Sequence, residues 1–290
     1  MTRPITVGVD GSPESTAAAR WAAREAVRRD LPLRIVHVWR WERYDFVAAD
    51  DQQAQADGAG AVVREAERTV TGEHPRLHVT AEAVEGASVD ALAAEAAGSE
   101  LLALGTRGHG AVLGFLLGSI GQQALGEASR PVVLVRSEDR PAQEAAGREV
   151  VVGQHGDPAD SAAALEFAFG AAAARGAGLR VVRAWSLPPV FAYSPGSMQL
   201  LDDAGGLEPY ERKALDEALR PWRERYPDVP VTEHVEMGSA GQVLLSVADR
   251  AQLMVVGRRA GRLAVGPRIG SVAHALIAHA PCPVAVVPPA

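Results

Sequence analysis

Short runs rich in Val, Ile and Leu recur along the chain, each followed by a longer stretch in which apolar residues return every three or four positions. In the first half these runs lie near 4–9, 33–39, 76–83, 100–105 and 131–136. Their apolar residues sit on consecutive positions, the pattern of strands covered on both faces. Between the first two runs, Ala18, Trp21, Ala22, Glu25 and Ala26 fall at helical spacing. Ser12 followed by Pro13 is a capping residue before a proline suited to the first helical position, which starts a helix over 13–29. A further helix is predicted over 120–128. In the second half the strands fall near 149–153, 179–185, 230–236, 252–257 and 283–287. Alternation of this kind predicts a parallel sheet with helices on both sides. The segments 40–60 and 186–208 show no usable period and read as polar or Gly/Pro-bearing excursions after the second strand of each half.

The two halves are copies. Val7-Gly8-Val9-Asp10-Gly11-Ser12-Pro13 recurs as Val152-Gly153-Gln154-His155-Gly156-Asp157-Pro158, and Arg34-Ile35-Val36-His37-Val38-Trp39 as Arg180-Val181-Val182-Arg183-Ala184-Trp185. Leu102-Ala103-Leu104-Gly105 returns as Met254-Val255-Val256-Gly257, and Gly118-Ser119 as Gly270-Ser271. Matches in the same order mark a tandem duplication. We therefore expect domains at 1–137 and 149–290. The linker, 138–148, is rich in Glu, Pro, Ala and Gly.

Composition narrows the function. A formal charge of −7 disfavours nucleic acid as a partner, because phosphate neutralisation needs a basic face. The single cysteine, Cys282, excludes an internal disulfide and a thiolate zinc cluster, and its apolar setting reads as packing. No signal peptide or membrane span is legible, so the expected location is the cytoplasm. Lys213 is the only lysine and lies in a helical stretch, which removes the P-loop and the protein kinases from consideration. No metal site is expected, since His274 and His279 are off a common helix face.

One stretch carries chemistry. Gly105-Thr106-Arg107-Gly108-His109-Gly110-Ala111 leaves the end of a predicted strand, where open α/β sheets bind ligands, and leads to Gly118-Ser119 at a helix start. Glycines without side chains let backbone N–H groups approach an anion, and the helix N-terminus adds its dipole. Arg107 and His109 are candidates for phosphate contact, against the alternative that both are ordinary solvated loop residues.

The spacing G-x2-G-x9-G-S, together with Val7-Gly8-Val9-Asp10-Gly11-Ser12, Val36-His37-Val38-Trp39 and Pro131-Val132-Val133-Leu134-Val135, resembles the ATP-binding branch of the universal stress protein family, over both copies nearly end to end. The resemblance implies two tandem Rossmann-like domains, each a five-stranded parallel sheet of order 3-2-1-4-5. ATP is the implied cofactor, with any Mg2+ held mainly by its triphosphate. Asp10 would lie near the ribose and metal, Val38 would meet adenine through its backbone, and Gly8 would permit close approach. Gly105, Gly108, Gly118 and Ser119 would hold the phosphates, with Thr106, Arg107, His109, Gly110 and Ala111 lining the same loop.

In the second copy the corresponding positions are Gly153, Gly257, Ala260, Gly261, Gly270 and Ser271, and the copy departs from the pattern in two places. Ala260 replaces a glycine, and His155 stands in place of the Asp10 carboxylate. Arg258, Arg259, Arg262 and Arg268 make this loop more cationic. The expectation is a site that is weakened, altered in ligand or vestigial.

No constellation for turnover is legible. The leading reading is a nucleotide-dependent regulator of a stress or dormancy response acting on an unknown protein partner. A slow ATPase and a nucleotide-independent interaction scaffold are the alternatives. The apolar closing strands, 132–136 and 284–287, need covering, and the resemblance implies that the copies pair through them as an internal pseudo-dimer, with a homodimer of chains beyond that.

Overall fold

The computed structural model describes residues 2–40, 50–106, 119–138, 144, 148–187, 206–258 and 269–289. The chain divides into two compact units, one mainly from Met1–Pro141 and the other mainly from Ala142–Arg262 and Gly270–Ala290.

In the first unit the order is β1 (Ile5–Gly8), α1 (Pro13–Arg29), β2 (Leu33–Trp39), α2 (Asp50–Glu73), β3 (Val79–Glu85), α3 (Ser88–Gly98), β4 (Leu101–Thr106), α4 (Ser119–Glu127) and β5 (Val132–Arg136). The strands form a parallel sheet of order β3-β2-β1-β4-β5. Helices α1 and α2 cover one face, α3 and α4 the other. Helix α1 spans the residues its sequence predicts. Ser12 caps it by accepting from the Ser15 N–H, and Asp30 closes it in the left-handed region at φ 52°. Its sheet-facing side is built from Ala18, Ala19, Ala22, Ala23 and Ala26 around Trp21, all fully buried. The small residues let the helix lie close to β1, β4 and β5, while Trp21 supplies most of the apolar contact. Trp21→Ala would cost about 3–5 kcal/mol through lost transfer and the void left behind.

Two elements differ from the sequence expectation. The third strand begins at Val79, not near 76, because Leu77 N–H bonds back to the His74 carbonyl at 3.0 Å and spends residues 75–78 on a turn. Residues 50–60, read as an excursion, are the first turns of α2. Gly58 and Gly60 lower helix propensity there, yet Ala59, Val63 and Val70 share one buried face, and that burial supplies what propensity lacks.

The second unit repeats the plan with β6 (Glu149–Gly153), α5 (Pro158–Arg175), β7 (Leu179–Trp185), α6 (Glu208–Arg225), β8 (Val231–Met237), α7 (Ala240–Ser246), β9 (Ala251–Gly257), α8 (Ser271–His279) and β10 (Val284–Val287). Its strands run parallel in the order β8-β7-β6-β9-β10. The core face of α5 carries Ala164, Leu165, Ala168, Phe169, Ala171 and Ala172, with Phe169 stacked at 5.6 Å on Tyr226. Among the described residues no helix is long and apolar enough to cross a membrane.

Candidate functional site

In the first unit β1 has β2 on one side and β4 on the other, so the chain leaves these neighbours in opposite directions and opens a crevice at their ends. Gly8 is level with Val36 and with Leu104. That register puts Asp10, Val38 and Gly105 along the rim.

The Val9 N–H donates to the Val36 carbonyl at 2.8 Å, the last rung between β1 and β2. Backbone groups alternate sides along a strand, so Val38 turns its N–H and C=O the same way as Val36. Trp39 faces oppositely, its carbonyl accepting from the Gly86 N–H at 3.0 Å. Since β1 has ended by this level, the donor and acceptor of Val38 face the crevice side, and neither has a partner among the described residues. A neighbouring N–H and C=O on one edge can pair with the acceptor and donor edge of a purine.

Asp10 is exposed, and its Oδ1 accepts from the Ser12 N–H at 3.0 Å and the Ser12 hydroxyl at 2.5 Å. The Ser12 hydroxyl in turn accepts from the Ser15 N–H at 3.2 Å. Burial pushes the Asp10 carboxyl up, but the Ser12 hydroxyl and N–H, the Ser15 hydroxyl and the charge of His37 outweigh it and hold the group below its usual value of 3.8. The rim thus carries a carboxylate that orders the start of α1 and stays negative. His37 donates from Nδ1 to the Val9 carbonyl at 2.7 Å, which holds the ring beside that rim.

The glycines serve packing as well as access. A Cβ on Gly105 would lie 2.5 Å from the Glu14 carbonyl carbon and 2.6 Å from its oxygen, so the end of β4 abuts the first turn of α1. At Gly8 a Cβ would come within 2.7 Å of Leu104 Cδ2 and 3.3 Å of Leu92 Cδ2, toward α3. Thr106 is buried and its hydroxyl donates to the Val135 carbonyl at 3.4 Å, which leaves its backbone alone to line a crevice. Ser119 is the first residue of α4. Arg107, Gly108, His109, Gly110, Ala111 and Gly118 lie outside the described residues, as do Ala260 and Gly261 of the second unit.

The second unit keeps the frame and its backbone edge. The Gln154 N–H donates to the Val182 carbonyl at 2.9 Å and the Gly238 N–H to the Trp185 carbonyl at 2.8 Å, so Ala184 faces as Val38 does. The side chains of the rim differ. Gly153 is again close to a leucine, with Leu244 Cδ1 at 3.1 Å from a Cβ built there. At Gly257 the nearest atom is Ala164 Cβ at 3.9 Å, so the tight approach of Gly105 is not repeated. Gly270 caps α8 at φ −66° with nothing within 4 Å of an added Cβ, and Ser271, exposed, opens the helix. His155 is exposed where Asp10 would be, its N–H donating to Ser161 Oγ at 3.1 Å. Sequence reasoning missed Gln154, Arg183 and Glu211, which join into one polar network here. Two of them were signalled by the repeat itself, which replaces Val9 by Gln154 and His37 by Arg183.

A parallel sheet of order 3-2-1-4-5 with its crevice at the point of reversal defines each unit as a Rossmann-like α/β domain. The universal stress protein family model matches residues 1–136 and 148–288. A universal stress protein of Mycobacterium tuberculosis is 34% identical over 307 residues, covering 97% of this chain and 94% of its own length. Another, from Mycolicibacterium smegmatis, is 34% identical over 297 residues, covering 98% and 97%. The crystal structure of a universal stress protein from Archaeoglobus fulgidus shares the fold at a TM-score of 0.71 and 16% identity, covering 99% of this chain and 98% of that one. The chain belongs to the universal stress protein family, with two family domains in tandem.

Proposed function

We propose that the first domain binds ATP in the crevice at the ends of β1, β2 and β4, and that the bound nucleotide makes the protein a regulator in a stress or dormancy response. The observation that carries this reading is the open backbone donor and acceptor of Val38 beside the ionised Asp10. Adenine would take the Val38 edge and the ribose, with any Mg2+, would lie toward Asp10. The triphosphate would reach the segment that begins at Gly105 and ends at Ser119, whose glycine spacing suits an anion cradle and whose last residue opens α4. A regulator, in contrast to an enzyme, needs only differential affinity of its conformations for the ligand, and no general base need stand at the terminal phosphate. The cytoplasm, as the compartment that supplies ATP, is where this reading puts the protein.

Equilibrium dialysis of the intact chain against labelled ATP tests the reading. Saturable binding that Asp10→Ala weakens is expected; no adenine nucleotide retained at millimolar concentration would return the protein to a nucleotide-independent scaffold. The proposed pairing of the closing strands, β5 and β10, predicts that Val133→Lys with Val286→Lys enlarges the particle in small-angle scattering. An unchanged radius would count against it. A homodimer of chains and a protein partner that reads the nucleotide state belong to the same proposal.

A further inference from the structure

The two domains also differ at the N-terminal ends of their strands, where the backbone is the same in both. The Leu31 N–H donates to the Ala26 carbonyl as Ala177 does to Ala172, and the His74 N–H to Val70 as Tyr226 does to Trp222. The Leu77 N–H returns to the His74 carbonyl as Val229 does to Tyr226. These matching bonds put His74 in the place of Tyr226, Glu73 in that of Arg225 and Ala23 in that of Phe169. In the second domain Tyr226 stacks on Phe169 at 5.6 Å, with the Arg225 guanidinium 5.5 Å over the Tyr226 ring.

The first domain has the smaller Ala23 and His74 at those positions, and a cavity of about 610 Å³ lies beside His74. That volume is within the range of small-molecule pockets. Ala26, Val27, Leu31, Pro32 and Leu77 give it apolar walls, and Val27 is left 52% exposed. The C-termini of α1 and α2 both border it, and each helix end carries roughly half a negative charge. Pro75 has no N–H to offer, and the carbonyls of Thr71, Gly72 and Glu73 accept no bond among the described residues. Asp30 adds a carboxylate that likewise has no side-chain partner among the described residues. It holds the left-handed region at φ 52°, where the second domain has Gly176 at φ 59°. Glu73 is already paired with Arg20 at 2.8 Å. Arg76 is the only permanent cation among the lining residues, and Asp30 with the two helix ends outweighs it.

We propose that this cavity is a ligand site of the first domain, separate from the crevice, for a small organic cation that carries a ring. The ring takes the room that the second domain gives to Tyr226, against Val27 and Leu77, and the ammonium group lies toward Asp30 and the end of α2. Such a ligand gains from burying apolar area and from the negative helix ends at once. An anion of the same shape meets Asp30 and both helix ends and is repelled. The cavity adjoins the starts of β2 and β3, at the opposite end of the sheet from the crevice, so the proposal does not depend on the nucleotide reading.

Amide chemical shifts of the intact chain, titrated with phenethylammonium, test the site. Saturable shifts are expected at residues 26–31 and 73–78, with none at their counterparts 172–177 and 225–230. Phenylacetate, with the same ring and the opposite charge, should bind about tenfold more weakly or worse. Asp30→Asn removes the charge with a residue that also tolerates the left-handed region, and should weaken phenethylammonium about tenfold. Val27→Trp, at a position already open to solvent, should fill the cavity and abolish the shifts. No saturable shift at millimolar phenethylammonium would overturn the proposal, as would equal shifts at the counterparts or equal affinity for phenylacetate. A folded Asp30→Asn or Val27→Trp protein that binds as the wild type does would overturn it as well.

Discussion

The two halves of this chain agree in their strands and disagree at the ends of those strands. In the first, β1 runs into Val9 and Asp10, with His37 beside them, and the rim is left with an exposed carboxylate; the open backbone edge at Val38 recurs at Ala184 of the second. In the second, Gln154, His155 and Arg183 occupy the same places, and Arg183 bonds to Gln154 and Glu211. The cores tolerate little drift because each apolar residue packs against many neighbours, whereas a rim residue answers mainly to whatever it binds. Divergence at such positions, over an unchanged sheet, is what is expected where the rims of two copies answer to different contacts.

The largest separation between the halves should appear at their glycines. Gly105→Val would drive a side chain into the Glu14 backbone and is expected to destabilise the first domain by about 3 kcal/mol or more, whereas Gly257→Val, with 3.9 Å to its nearest neighbour, should cost about 1 kcal/mol or less. Urea denaturation of the two variants measures the gap, and equal losses would remove this contrast. Next comes Arg183→Ala, which leaves Glu211 and Gln154 unsatisfied and should cost about 1–3 kcal/mol. His37→Ala, which loses one bond to a half-buried carbonyl, should cost about 1 kcal/mol or less by the same measurement.

Asp10→Asn keeps the shape of the rim and removes its charge. Loss of a charge-assisted contact should weaken ATP binding by roughly tenfold in titration calorimetry, while His155→Asn should leave it unchanged. The smallest effect is in pH. Because folding lowers the Asp10 carboxyl below 3.8, its stabilising contribution is complete above that value and is lost as the pH falls through the lowered one. Acid denaturation of Asp10→Asn should therefore lack a small component that the wild type shows in that window. Identical acid profiles would mean that the Ser12 and Ser15 bonds do not distinguish the charged carboxylate from a neutral amide.

Much of the frame was legible because it is written in local signals. Ser12-Pro13 fixed the start of α1, and consecutive Val and Ile positions gave the strands of both copies within a few residues. Helix α2 was obscured at its beginning, since the polar run 50–57 with Gly58 and Gly60 has no helical signature of its own and is held by the later Val63 and Val70. The polar network in the second domain was less legible still. Gln154, Arg183 and Glu211 come from a strand end, a second strand and a distant helix, and only the fold brings them into bonding distance. Gly105 could be read as a residue that admits a ligand, but its contact with Glu14 is a tertiary fact that no spacing in the sequence announces.

The central claim is that the first domain of this tandem protein holds a nucleotide in its crevice. Native mass spectrometry of the intact chain, titrated with ATP, measures this directly. The account predicts ATP bound to the wild-type chain, with Asp10→Ala needing roughly tenfold more nucleotide for the same occupancy; a wild-type chain that binds none contradicts it.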